Sequence, residues 1–232
     1  MTELAKELRI HKSTAYRLLS TLERRAMVER DAATQKYRLG FGLVRLAGAV
    51  RATLELTRAA HPVCERLSRA ADEAVNLAVL EGHSVVNIDQ ADLSSSVIGV
   101  NWVGAYTSLH GTSSGKVFLA HLPFREREAV LEGPLQRFTD RTLVGSDELR
   151  AELDQIRSAG FAMALEELEE GLHAVAAPIR MGDGSVRAAV SVSGPAYRLT
   201  LERIEREVAA LVRQAAGDIS RRVGYVEPYT AR

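Results

Sequence analysis

The sequence is poor in cysteine and in aromatics, with one Cys, one Trp and 5% Phe, Trp and Tyr together. Cys64 stands alone, so the chain can form neither an intrachain disulfide nor a cysteine-based zinc site. It lacks the roughly 18–20 uninterrupted apolar residues of a membrane span. Its start, Met1-Thr2-Glu3-Leu4-Ala5-Lys6, lacks the apolar core of a signal peptide, which points to the cytoplasm and away from a membrane. No Gly-x-Ser-x-Gly or comparable nucleophile arrangement occurs, so a hydrolase has no candidate. His61, His83, His110, His121 and His173 show no His-x-His or His-Glu-x-x-His spacing, leaving a zinc site only from distant segments. Glu166-Glu167-Leu168-Glu169-Glu170 reads as a solvated or helix-start charge run before it reads as a metal site.

What is present is 46% apolar residues over 232 positions, ample for a core, and 30 basic against 30 acidic residues. A zero balance excludes a protein that is basic all over, but the charges segregate. The first 58 residues hold 12 Lys and Arg against 6 Asp and Glu, and the remainder is acidic to match. A basic front suggests a module that meets a polyanion, although short segments also fluctuate in charge.

Leu4, Ala5 and Leu8 form a helical stripe after Thr2, a helix-capping residue. After the break Arg9-Ile10-His11, Lys12 or Ser13 opens a second helix with Ala15, Leu18, Leu19 and Leu22 as its apolar positions. Two short helices around such a break fit a helix-turn-helix. Lys12, Ser13, Thr14, Tyr16 and Arg17 crowd the start of the second helix, where a recognition helix places its base and phosphate contacts. A solvated, charged helix start would have the same residues. Met27–Arg30 and Lys36–Leu39 then read as two strands around the polar turn 31–35, and a hairpin directly after a recognition helix is a wing. Together these elements predict DNA binding.

The run Leu4-Ala5, Ile10, Lys12-Ser13-Thr14, Arg17-Leu18-Leu19-x-Thr21-Leu22 and Tyr37-Arg38-Leu39-Gly40 resembles the winged helix of IclR-type transcriptional regulators. The resemblance implies reader roles for Lys12, Ser13, Thr14 and Arg17, and wing roles for Lys36, Tyr37 and Arg38. That family places a further helix ahead of the one starting near Thr2, and this chain begins after it. The expectation is a misassigned start or a reduced winged helix with Leu4, Leu8 and Leu22 partly uncovered. In the second case the alternative function is a small-molecule sensor that has lost autonomous DNA binding.

Gly40-Phe41-Gly42 marks a boundary. Leu43 to about Ala59 reads as an amphipathic helix, and His61-Pro62 separates it from the next. Short β runs follow at Asn76–Leu80, Ser84–Gln90, Ser96–Val100, Ala174–Arg180 and Ala188–Gly194. Helical stretches fall near Gly115–Leu122, Arg125–Leu131 and Ser146–Ala159, and a last long helix is opened by Thr200. Antiparallel strands flanked by helices give an α+β class. Leu109-His110-x-Thr112-x-x-Gly115-Lys116, Gly171-Leu172-x-Ala174-Val175-Ala176-Ala177-Pro178 and Ser191-Val192-Ser193-Gly194-Pro195 extend the same resemblance to about residues 2–224. It implies a winged helix-turn-helix over 1–40, a linker helix over 41–59 that pairs subunits, a GAF-like effector-binding domain over 60–226 and a tail over 227–232. An ordinary amphipathic helix explains 43–59 equally well.

Gly111-Thr112-Ser113-Ser114-Gly115-Lys116 precedes a helix, whose N-terminus favours anions. A nucleotide-binding P-loop does not fit, because the spacing is one residue short and Val117 replaces the magnesium-holding hydroxyl. By resemblance the loop and central strands bind a small carboxylate, at Ser113, Ser114, Ala174, Ser191 and Ser193. Ser191 and Ser193, two apart, face one side of a strand, which suits either convergent hydroxyls or close packing. Some relatives carry a cysteine where Ala174 stands and an acidic residue where Ala164 stands, so this cavity is roomier and more apolar. With Trp102, Val103, Tyr106, Leu109 and Met163 expected nearby, the sequence favours an aromatic or branched acid. The resemblance further implies a homodimer or homotetramer on inverted-repeat double-stranded DNA. No cofactor and no catalytic role are implied.

Overall fold

The computed structural model describes residues 2–31, 34, 36–43, 51–91 and 102–227, which form two compact units divided between Glu55 and Leu56. The expected strand Ser96–Val100, positions 44–50 of the expected linker helix and residues 228–232 of the tail lie outside the described residues.

In the first unit, α1 (Thr2–Glu7) and α2 (Lys12–Arg24) are joined by a tight turn in which Arg9 takes a positive φ and the Ile10 amide bonds back to Ala5. His11 stands at the N-cap, its Nδ1 3.1 Å from Ser13 Oγ. Ala15 and Leu19 carry the buried side of α2. Leu4 is half-buried, whereas Leu8, Leu18 and Leu22 are exposed. β1 (Val28–Arg30) and β2 (Tyr37–Leu39) pair antiparallel, with Glu29 opposite Arg38. Gly40 and Gly42 serve a closer purpose than a flexible boundary. Their amides donate to Met27 and Ala26, and a Cβ on Gly40 would lie 2.3 Å from the Ala26 carbonyl oxygen. Only a residue without a side chain lets the departing chain lie against the end of α2.

One helix, α3 (Arg51–Ala71), runs through Pro62, so the expected break at His61-Pro62 does not occur. Proline forfeits one backbone hydrogen bond. The helix continues because Leu56, Ala60, Val63, Cys64, Leu67 and Ala71 keep one buried stripe on both sides of it, while Pro62 faces solvent.

The second unit is built on a six-stranded antiparallel sheet. Its strands are β3 (Ala74–Glu81), β4 (Ser84–Ala91), β5 (Tyr106–Thr107), β6 (Ala162–Leu165), β7 (Leu172–Arg180) and β8 (Val186–Pro195), in the order β5-β4-β3-β8-β7-β6. The short strands β5 and β6 are absent from the sequence reading. Alternation along each strand divides the apolar residues between two cores. Val75, Leu77, Val175, Ile179, Val190 and Val192 pack with α3 and the C-terminal helix. The opposite face is floored by Ala78, Ala162, Ala176 and Ala189. On those small residues sits α4 (Ser113–His121), with α5 (Phe124–Leu131) in the same core and α6 (Ser146–Ala159) packed against α4. The C-terminal helix is capped by the Thr200 hydroxyl, passes a π-helical turn at Ile204–Val208 and continues as α7 (Ala209–Arg222). Among the described residues no helix is long and apolar enough to cross a membrane.

Candidate functional site

The first candidate surface is the start of α2. Because Ala15 and Leu19 fix the inward side, Lys12, Ser13, Thr14, Tyr16 and Arg17 are all exposed, Tyr16 to 54%. The helix therefore presents two cations, two hydroxyls and a phenol on its first turns, with its positive dipole end among them. On the hairpin Lys36 is exposed, and Tyr37 is half-buried with the Arg30 guanidinium 5.9 Å above its ring. Arg38 is not a free cation, since its Nη2 lies 3.1 Å from Glu29 Oε2 across the strand pair. Both partners are exposed, and such pairs contribute little, so a phosphate can displace Glu29.

The second candidate site is a cavity of about 60 Å³ between the small-residue face of the sheet and the start of α4. The register shows how the strands build it. Ala164, Ala174 and Ser193 form one row across β6, β7 and β8, and Ala176, Ser191 and Asn76 form the next across β7, β8 and β3. All six positions expected from the resemblance, Ser113, Ser114, Ala164, Ala174, Ser191 and Ser193, line this one cavity.

Of the five apolar residues expected beside it, Trp102 alone is in the lining. Leu109 is buried in the core beneath α4, Met163 packs toward the α3 side of the sheet, and Val103 and Tyr106 are exposed. Met163 alternates away from Ala162 and Ala164, and Tyr106 is turned out to bond Glu81 Oε2 at 3.0 Å. The apolar walls come instead from Val85, Leu168 and Leu172. Asn76 and Asn87 are lining residues that the sequence reading misses. The available signal was an asparagine inside each of two apolar runs, Asn76 within 74–80 and Asn87 within 85–88.

The loop ahead of α4 is held on both sides. Thr112 caps the helix by accepting from the Gly115 amide at 3.0 Å, and its hydroxyl donates to Ser108 O at 2.8 Å. His110 stacks on Phe138 and bonds Gln136 O at 2.8 Å. A Cβ at Gly115 would lie 2.3 Å from Leu109 O, so this glycine serves close packing and not a phosphate cradle. The first amides of a helix have no acceptor inside it. Here those amides belong to Ser113 and Ser114, both buried and both in the lining.

No ionisable side chain lines the cavity among the described residues. Lys116 turns away from it and is fully buried, with Nζ 2.6 Å from Glu167 Oε1, 2.8 Å from Glu152 Oε1 and 3.0 Å from Met163 O. Glu167 is therefore not part of a solvated charge run. Burial pushes its carboxyl above the usual carboxylate range, and the Lys116 ammonium opposes that shift. Glu166 is tied to Arg141 at 3.1 Å and to the Gly171 amide at 2.9 Å. A second buried carboxylate, Glu73, takes both arms of Arg198 at 2.7 and 2.6 Å and one of Arg203 at 3.2 Å. Its oxygen lies where a Cβ on Gly194 would stand.

The histidines serve local bonds. His61 Nδ1 lies 2.7 Å from Asp89, His121 Nδ1 2.8 Å from Val117 O and His173 Nδ1 2.9 Å from Leu199 O, and burial lowers the His121 pKa. Among the described residues no group of three His, Cys, Asp or Glu could hold a metal ion.

Comparison with known proteins assigns the two units. Residues 1–32 match the IclR helix-turn-helix domain, and residues 48–221 match the C-terminal domain of bacterial IclR transcriptional regulators. The transcriptional regulator KdgR of Escherichia coli is 34% identical over 226 residues, covering 97% of this chain and 86% of that protein. The crystal structure of Thermotoga maritima IclR is similar with a TM-score of 0.77 at 31% identity, covering 97% of this chain and 90% of that one. An IclR homologue from Microbacterium hydrocarbonoxydans, solved in complex with 4-hydroxybenzoate, gives a TM-score of 0.79 at 29% identity, covering 96% and 90%. The chain belongs to the IclR family and is a transcriptional regulator, not an enzyme, that joins a DNA-binding helix-turn-helix to the family's C-terminal domain.

Proposed function

We propose that Lys12, Ser13, Thr14, Tyr16 and Arg17 read an operator in the major groove, with Lys36, Tyr37 and Arg38 of the wing on its backbone. A small carboxylate bound at Ser113, Ser114, Ala164, Ala174, Ser191 and Ser193 sets the operator affinity. The protein works in the cytoplasm as an even homo-oligomer, a dimer or tetramer, on inverted-repeat DNA. The observation that carries the effector reading is a half-open cavity at the start of α4, lined by Ser113 and Ser114 and, among the described residues, by no ionisable side chain. Neutral amides and hydroxyls at a helix start hold an anion without a countercharge. Trp102, Leu168 and Leu172 supply apolar surface for an aromatic or branched acid.

A ligand changes DNA affinity only by binding one arrangement of the subunits better than another. In this reading α3 carries the change, with residues 41–59 pairing subunits. The test is a panel of benzoates and short branched acids added to the full chain on DNA flanking its own gene. One chemical class is expected to move the binding midpoint by about 5-fold or more, the scale of ordinary allosteric coupling. If no acid moves it, the effector reading falls while the DNA-binding assignment stands.

A further inference from the structure

We propose that the C-terminal unit carries a second binding site, for a small anion of two or more charges, in a groove between α7 and the far end of β7. Arg180, Arg213 and Arg221 line this groove, with Glu227 as the acidic residue among the described lining. The groove measures about 600 Å³, against about 60 Å³ for the cavity at α4, and the two share no lining residue.

The three arginines differ in what holds them. Arg221 is tied to Asp218 on the same helix. Arg213 is exposed and forms no ion pair with another of the described residues; its Nε would lie 3.4 Å from a Cβ on Gly160. Arg180 is half-buried, yet its guanidinium reaches only Gly184 O at 3.4 Å and His121 Nε2 at 3.5 Å, long contacts to uncharged groups. Burial first, and then the nearby charges of Arg180 and Arg157, lower the His121 pKa, so the neighbourhood is electropositive. A cation partly withdrawn from water is ordinarily paired. Guanidinium forks match the oxygens of phosphates and carboxylates.

An added strand is not the occupant. β6 pairs with β7 only as far as Ala162 opposite Ala176, which leaves 177–180 as a free edge. Leu172 O accepts from the Glu166 amide, so the even-numbered residues of β7 turn their backbone toward β6 and, past its end, outward. That edge offers no free amide, because Pro178 has none and the Arg180 amide donates to Ser220 Oγ at 2.9 Å. Side chains therefore make the site, on a floor that includes Ala216 and Gly217, and they suit a compact anion.

The full chain is titrated by calorimetry with pyrophosphate and with citrate at one ionic strength, as wild type, Arg180→Ala, Arg213→Ala and Arg206→Ala. Arg206 pairs with Glu202 outside the groove. At least one anion is expected to bind wild type and Arg206→Ala alike, with a Kd of about 1 mM or tighter. It should bind about tenfold more weakly to Arg180→Ala and Arg213→Ala, as loss of a charge-assisted hydrogen bond gives. Pyrophosphate alone would make the ligand a phosphate compound, citrate alone a polycarboxylate, and both a site that reads charge only. Absence of binding by either anion overturns the proposal. Binding that neither groove variant weakens also overturns it, by placing the anion elsewhere, the α4 cavity included. Equal weakening in all three variants overturns it too, as unspecific attraction. Arg213 is exposed and outside any printed core contact of the fold, so Arg213→Ala decides the point even if Arg180→Ala does not fold.

Discussion

Lys116→Met is expected to destabilise the C-terminal unit by about 3–5 kcal/mol, the usual result of removing one partner from a buried ion pair. The ammonium sits between Glu167 and Glu152, whose side chains are 9% and 26% exposed. Without it, Glu167 is a buried carboxylate facing a second one. Its pKa is already raised by burial and by Glu152, and Lys116 is the main opposing influence. Loss of Lys116 raises it further. A carboxyl whose folded pKa lies above its unfolded value binds protons more tightly when folded. Stability is then greatest below the ordinary Glu range and falls as pH rises toward the folded pKa. The defect of Lys116→Met should therefore be largest at pH 7 and shrink as pH approaches 4.5. Lys116→Met combined with Glu167→Leu should recover most of the loss, because an apolar replacement leaves no buried charge. Urea unfolding at the two pH values measures this. A defect of equal size at both would show that Lys116 matters by packing and not by charge.

Lys12→Ala with Arg17→Ala is expected to weaken operator binding about 10- to 100-fold and to lower the slope of log affinity against log salt by about 1–2. The two cations lie five positions apart on the exposed side of α2 and form no ion pair with another of the described residues. Each phosphate contact releases counterions, so a lost contact reduces the salt dependence together with the affinity. Arg38→Ala is expected to do less, since Glu29 already engages that guanidinium. Anisotropy titrations in several salt concentrations separate the cases. Lower affinity with an unchanged slope would place Lys12 and Arg17 off the phosphate backbone.

Local patterns made the secondary structure legible wherever one principle ruled. The capping hydroxyl of Thr200 and the opening of α6 at Ser146 stand where the sequence places them, whereas α4 opens at Ser113, ahead of the expected Gly115. The alternation of Val190 and Val192 with Ser191 and Ser193 correctly divides β8 between two faces. Pro62 misled because a continuous buried stripe outweighs one missing hydrogen bond. Strands β5 and β6, two and four residues long, are too short to show a period and form by pairing with longer neighbours.

The cavity shows the same division. The serines and alanines were found through motif resemblance, and the structure sets Ala164, Ala174, Ser191 and Ser193 on adjacent rows of one sheet face, with Ser113 and Ser114 at the start of α4 in the same lining. The walls were misassigned because proximity in sequence to the loop does not say which way a side chain turns. Met163 lies next to Ala164 yet faces the other core. Lys116 and Glu167 are 51 positions apart, and nothing local in either segment announces their contact.

A fluorescence-anisotropy titration tests most directly whether this 232-residue chain reads DNA with the start of α2. The full chain is titrated against DNA flanking its own gene and against a scrambled duplex, over a salt series. Tight binding to the first that weakens steeply with salt is expected, with markedly weaker binding to the second. Equal, weak binding to both duplexes at every salt concentration would contradict it.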